Sequence, residues 1–275
     1  MRSRPLWKAR IQWLPRPLLI LALVIGVTGV GVLPSGIASG APLADQVTGP
    51  RGEVAELEGF DLADLGEGEV FRYRWRFTSF LGRLAGLFLP GRGDGVLSFK
   101  PQPEGALESR LEITSDEADS DEYWLYAALM DPGTGRTTKA WSDYRYRGKE
   151  KRRESEIDES GVVDIASAIY RIRRRPPASP LRLKIWSDGK IYPVEVIPGP
   201  TRRFPWGQED RVARSYRVVG VEEAGSRFWK GRLNLWISLD PQATPLVIEV
   251  ERSALTVRLE MVPPPVEENS AGDRG

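Results

Sequence analysis

The stretch Phe71-Arg72-Tyr73-Arg74-Trp75-Arg76-Phe77-Thr78 decides the fold. Every second residue is aromatic and the residues between are cations or Thr, which is the period of a strand with one apolar and one wet face. A helix would scatter the four rings around its circumference. Working outward, strand-like runs recur at Val96–Lys100, Leu107–Thr114, Tyr123–Asp131, Thr137–Arg147, Leu181–Ser187 and Lys190–Ile197. They continue at Arg211–Glu222, Leu233–Leu239, Leu246–Arg252 and Leu255–Val262. The segments between are short and turn-forming, with Asp188-Gly189 a strong two-residue hairpin signal, so meandering hairpins are the economical reading. Leu81–Leu89 is apolar but carries Gly82 and Gly86, and reads either as a loop packed over a barrel end or as a short strand pair. Lys149–Glu159 is almost wholly charged and reads as a solvated connection.

One segment breaks the period of two. Val162, Ile165, Ala166, Ile169 and Ile172 recur at helical spacing, with Asp158, Glu159 and Asp164 near the start and Arg171, Arg173, Arg174 and Arg175 at the end. That charge placement suits the helix dipole, and Pro176-Pro177 stops the helix. The expected fold is therefore mainly β: an antiparallel barrel-like or strongly curved sheet of about ten short strands with one internal helix over about residues 160–175. It is preceded by an N-terminal signal helix. The expected organisation is a signal peptide over 1–40, an acidic lead-in over 41–68, one β-barrel-like domain over 69–262 and a disordered tail over 263–275.

The signal assignment rests on Arg2, Arg4, Lys8, Arg10 and Arg16 ahead of the uncharged apolar run Leu18–Leu33, then the small-residue stretch Ser35–Ala41, with no acidic residue before Asp45. As a helix that run spans roughly 24 Å, short of the ~30 Å hydrocarbon core, so cleavage before Ala41 is favoured over a permanent anchor. An uncleaved inner-membrane anchor stays open as the alternative. Either way the domain is expected outside the inner membrane, in the periplasm.

Composition removes whole classes of chemistry. Loss of residues 1–40 takes away five basic residues and no acidic ones, so 39 Lys+Arg against 38 Asp+Glu becomes 34 against 38. The mature chain is mildly acidic, and nucleic acid is not an expected partner. There is no cysteine, hence no disulfide and no lipid-bearing thiol, and no histidine, hence no His-based triad, His-ligated zinc or His pH switch. No cofactor and no metal are expected. Asp116, Asp119, Asp121 and Glu122 supply oxygen ligands but lack the glycine-punctuated spacing of a calcium loop.

The second half resembles the DUF3108 family of exported bacterial proteins, whose function is unknown. The carrying residues are Asp164-Ile165-Ala166-Ser167-Ala168-Ile169-Tyr170-Arg171-Ile172-Arg173, then the hairpin at Asp188-Gly189, then Leu235-Trp236-Ile237-Ser238-Leu239-Asp240 with Pro245-Leu246-Val247-Ile248. Tyr73-Arg74-Trp75 extends the likeness less sharply into the first half. The resemblance implies a periplasmic β-barrel-like domain and landmark positions at Asp164, Ser167, Tyr170, Arg173, Trp236 and Asp240. It implies no reaction.

For function, the face Phe71, Tyr73, Trp75 and Phe77 either fills a barrel or lines an apolar cavity in it. The expected activity is non-catalytic binding of an amphipathic envelope molecule, a lipid or a glycan, with those four residues as candidate ligand contacts. A carboxylate-dependent enzyme acting on cell-wall glycan and a structural partner in an envelope complex are the alternatives. Membrane contact is expected only through an uncleaved signal segment. The Arg72, Arg74, Arg76 row reads as the wet face of its strand, and the Arg171–Arg175 cluster, with Arg182 and Lys184 nearby, as helix-end complementarity. Asp164, Ser167 and Tyr170 read as structural hydrogen-bonders, and Asp240 as a turn former.

Overall fold

The aromatic strand lies in the middle of a sheet that spans the whole fold. The computed structural model describes residues 67–79, 91–116, 121–146, 148–252 and 255–263. The signal segment, most of the acidic lead-in, Leu81–Leu89, Asp119 and the tail after 263 lie outside the described residues. Among the described residues there are thirteen strands and one helix: β1 Glu69–Phe77, β2 Arg92–Pro101, β3 Leu107–Ser115, β4 Tyr123–Asp131, β5 Arg136–Tyr146, β6 Lys149–Glu156, β7 Val162–Val163, α1 Ile165–Arg174, β8 Leu181–Ser187, β9 Lys190–Trp206, β10 Glu209–Gly220, β11 Arg232–Ser238, β12 Pro245–Arg252 and β13 Leu255–Met261. All thirteen strands form one sheet in the order β6-β5-β4-β3-β2-β1-β13-β12-β11-β10-β9-β8-β7, antiparallel throughout except for the parallel pair β7–β8. Two meanders are thus joined back to back through the β1–β13 ladder, in which Trp75 faces Leu259.

The period of two sets the facing of β1. Phe71, Tyr73, Trp75 and Phe77 are buried and the arginines between them are exposed, Arg74 pairing with Asp94 at 2.9 Å and Arg76 with Glu260 at 3.2 Å. Rings this large need room from the neighbouring strand, and β2 supplies it with glycine. Gly93 sits opposite Trp75 and Gly95 opposite Tyr73. A Cβ at Gly93 would come within 2.0 Å of the Thr114 carbonyl oxygen and 2.6 Å of the Trp75 indole nitrogen.

The outermost strands, β6 and β7, are consecutive in the chain, and the sheet curves until its ends meet. The contact is a seam of side chains rather than a ladder. Ala128, Ala140, Ile157, Val162 and Trp186 form one buried cluster across it. Asp188, in the β8–β9 turn, accepts from Lys151 Nζ at 2.9 Å and from Ser142 Oγ at 3.3 Å. Inside the curve lies α1, buried from Ala166 to Arg173 on every side, so the helix has no wet face over those eight residues.

Three sequence expectations change here. Lys149–Glu156 is a strand and not a connection: its charges pair across β5, as in Arg145–Glu150 and Lys139–Glu154 at 2.6 Å, so an edge strand forms without an apolar pattern. Val162 and Val163 belong to β7, and the helix begins after Asp164. The strand from Lys190 runs on through Pro198 and Pro200 to Trp206. Beyond Val196 no β8 residue pairs with it, so prolines lacking an N–H are tolerated on that open edge.

Candidate functional site

The aromatic face of β1 is the first candidate, and the structure places it in the core. The Tyr73 hydroxyl donates to the Pro245 carbonyl at 2.8 Å and the Trp75 indole N–H to the Thr114 carbonyl at 2.8 Å, so both polar handles are spent on backbone. Burial pushes the Tyr73 hydroxyl well above the ordinary phenol range, which keeps it a neutral donor. Phe71 meets Phe99 edge-on at 6.3 Å and Phe99 lies 4.7 Å from Tyr170 of α1. The helix therefore occupies the space that these rings face.

Two polar clusters hold the helix there. At its start Asp164 is the N-cap, accepting from the Ser167 N–H at 2.8 Å and the Ala166 N–H at 3.1 Å. Ser109 of β3 donates to the same carboxylate at 3.1 Å and lies 2.8 Å from the Ser167 hydroxyl. Burial raises the Asp164 carboxyl above its usual range, while these hydrogen bonds pull it back part of the way. At the other end Arg173, read from sequence as one of the cations that complement the helix end, has a further role. Its guanidinium is buried, makes a two-pronged pair with Glu69, and donates to the carbonyls of Gln242 at 2.9 Å and Ala243 at 3.1 Å. Its plane lies over Phe71 at 4.6 Å. A charge can be buried here because every face of it has a partner. Nearby cations serve local pairs, Lys184 with Glu159 at 2.6 Å and Arg182 with Glu195 at 3.9 Å. Both clusters position the helix, and neither aims a reactive group at open space.

A different surface emerges on the outside. The far half of β9 and the start of β10 form an arm that projects past the end of β11, where Ala213 pairs with Ser238. Trp236, half-buried on the outer face and so not in the interior core, meets the ring of Phe204 at 5.1 Å in an edge-to-face contact. With Trp206 these rings cover Ala213, Leu246 and Val247. Arg211 lies over Trp206 at 4.7 Å and Arg202 over Phe204 at 5.7 Å. Arg211 also reaches Asp240 at 3.4 Å, and Asp240 accepts from the Gln242 N–H at 3.0 Å, as a turn former does.

Of the sequence-derived positions, the structure brings Trp236 and Asp240 to this outer surface, and Asp164, Ser167, Tyr170 and Arg173 to the helix. Asp116 pairs with Arg92 at 3.0 Å and Asp121 with Arg145 at 3.1 Å. Phe204, Trp206, Arg202 and Arg211 were not singled out from sequence. Their signal was present as aromatics at period two before Gly207, but Pro198-Gly199-Pro200 reads as a break. In the fold those residues sit at an irregularity between Arg214 and Tyr216, where Ser215 Oγ donates to the Pro200 carbonyl at 3.2 Å.

No family model matches the chain, and no curated protein does. Among solved structures the chain is similar to a β-barrel-like protein of the domain of unknown function DUF1849 from Brucella abortus, with 10% identity, a TM-score of 0.40, and coverage of 75% of this chain and 98% of that one.

Proposed function

We propose that this is an exported envelope protein that binds an amphipathic envelope molecule, a lipid or a glycan, without carrying out chemistry on it. The observation that carries the reading is the arm: Phe204, Trp206 and Trp236 form an apolar surface with Arg202 and Arg211 laid over it. Such a surface matches a ligand with an apolar body and an anionic group. The interior face of β1 is the weaker binding candidate, since its donors already serve Pro245 and Thr114. Export is supported by the cation-led apolar run before Ser35, and kinship with the DUF3108 family by the helix and hairpin landmarks.

Two measurements test this. A reporter fused after Gly275 should be active only when exported, and N-terminal sequencing of the accumulated protein should start near Ala41. Native mass spectrometry of protein purified from the periplasm should show an extractable adduct that Trp206→Ala and Arg211→Ala deplete. A clean apo mass, or intact Met1 in the cytoplasm, would reject the proposal.

A further inference from the structure

Antiparallel order brings the start of β1, the end of β13, the β11–β12 loop and the β9–β10 arm to one end of the sheet. Among the described residues five large apolar side chains are exposed, and four of them, Val70, Val212, Leu239 and Val262, lie at that end. The fifth, Phe228, is in the β10–β11 connection at the opposite end. The four fall in two pairs along that end: the Val262 N–H donates to the Arg72 carbonyl at 2.8 Å, two residues from Val70, and the Leu239 N–H to the Val212 carbonyl at 2.9 Å. Exposed Arg72, Arg175, Arg202 and Arg203 stand among them, with Glu209, Asp210 and the Arg211-paired Asp240 as the nearby acids of the arm and loop.

We infer that this end of the molecule docks on an anionic phospholipid bilayer, with Val212, Leu239, Val70 and Val262 entering the headgroup boundary and Arg202 and Arg203 meeting lipid phosphates. The inference rests on the envelope reading above and narrows it from lipid or glycan to a lipid surface. Aliphatic side chains beside arginine and Trp suit the interfacial zone of a bilayer. On Trp206 and Phe204 a sugar would compete with a guanidinium for one ring face, since Arg211 lies over Trp206 and Arg202 over Phe204.

The test is flotation of the protein as it accumulates in cells, with vesicles of phosphatidylglycerol and phosphatidylethanolamine against vesicles of phosphatidylcholine alone. Binding is expected on the anionic vesicles only, weakening as salt rises. Arg202→Gln with Arg203→Gln should lower affinity about tenfold or more, at roughly fivefold per surface cation, while Arg152→Gln with Arg153→Gln on β6 should not. All variants share one N-terminus, so its own membrane affinity cancels between them, and the two vesicle types are compared for protein that starts near Ala41. Because the chain has no cysteine, Leu239→Cys and Phe228→Cys each accept one polarity-sensitive dye. The Leu239 label should shift to the blue on anionic vesicles and the Phe228 label should not. Equal flotation on both vesicle types, an unchanged Arg202/Arg203 variant, equal loss in the β6 variant, or a shift at Phe228 alone overturns the inference. Docking with a clean apo mass rejects only the ligand-binding proposal; a bound molecule without docking rejects only this inference.

Discussion

Asp164 shows how a single side chain sets the position of the helix. Its carboxylate caps the first turn and takes a hydrogen bond from Ser109, so it joins α1 to β3 as well as starting the helix. Asp164→Ala removes the cap, about 1 kcal/mol, and leaves the buried Ser109 and Ser167 hydroxyls short of a partner, about 1–3 kcal/mol more. Asp164→Asn keeps one acceptor oxygen but turns a donor toward the Ala166 N–H, and should cost about 1 kcal/mol. The wild-type carboxyl is raised by burial, with its hydrogen bonds opposing. A raised folded-state value means that its contribution to stability is full below the unfolded value of about 3.9 and declines as pH rises through the folded one. Urea titrations should therefore find the wild type's advantage over Asp164→Asn larger near pH 4 than near pH 7. An advantage that grows with pH would mean the hydrogen bonds outweigh burial.

At the scale of elements, β1 and β2 divide one ladder into a face that tolerates change and one that does not. Arg74→Glu alters an exposed ion pair with Asp94 and should shift stability by no more than about 1 kcal/mol. Gly93→Ala adds one methyl group, yet that carbon meets the Thr114 carbonyl oxygen and the Trp75 indole, and backbone cannot swing aside. About 3 kcal/mol of destabilisation is expected, read as a drop in thermal midpoint, with Trp75→Asp unfolding the protein altogether. A Gly93→Ala protein as stable as wild type would mean that β3 yields at little cost. The same strands show what was legible. The facing of β1 follows from period two alone, while β6 carries no apolar alternation because neither of its faces is buried and its side chains pair by charge across β5.

For the whole molecule the weak line is the seam. There β6 is hydrogen-bonded on one side only and β7 contributes two residues, so the ends of the sheet are joined by the Ile157 and Trp186 cluster and by Asp188 with Lys151 and Ser142. Hydrogen exchange should find β6 and β7 opening first and the central β1–β13 ladder last. Ile157→Ala should cost about 2–5 kcal/mol and speed exchange in β6 and β7 more than in β1. Uniform acceleration across all strands would show instead that the sheet opens as one unit.

The sequence by itself determined the β class, the inward face of β1, the Asp188-Gly189 hairpin and the presence of the helix, though not its first residue or its cap, because each depends on neighbours within a few residues and on the periods of two and 3.6. Only the tertiary structure decided that Arg173 is buried, since its partners Glu69, Gln242 and Ala243 lie about 70 to 104 positions away along the chain. The same holds for the outer aromatic surface. Phe204 and Trp236 are brought together by the β9–β10 arm folding beside β11, and pairing over such separations depends on strand order, which local pattern does not encode.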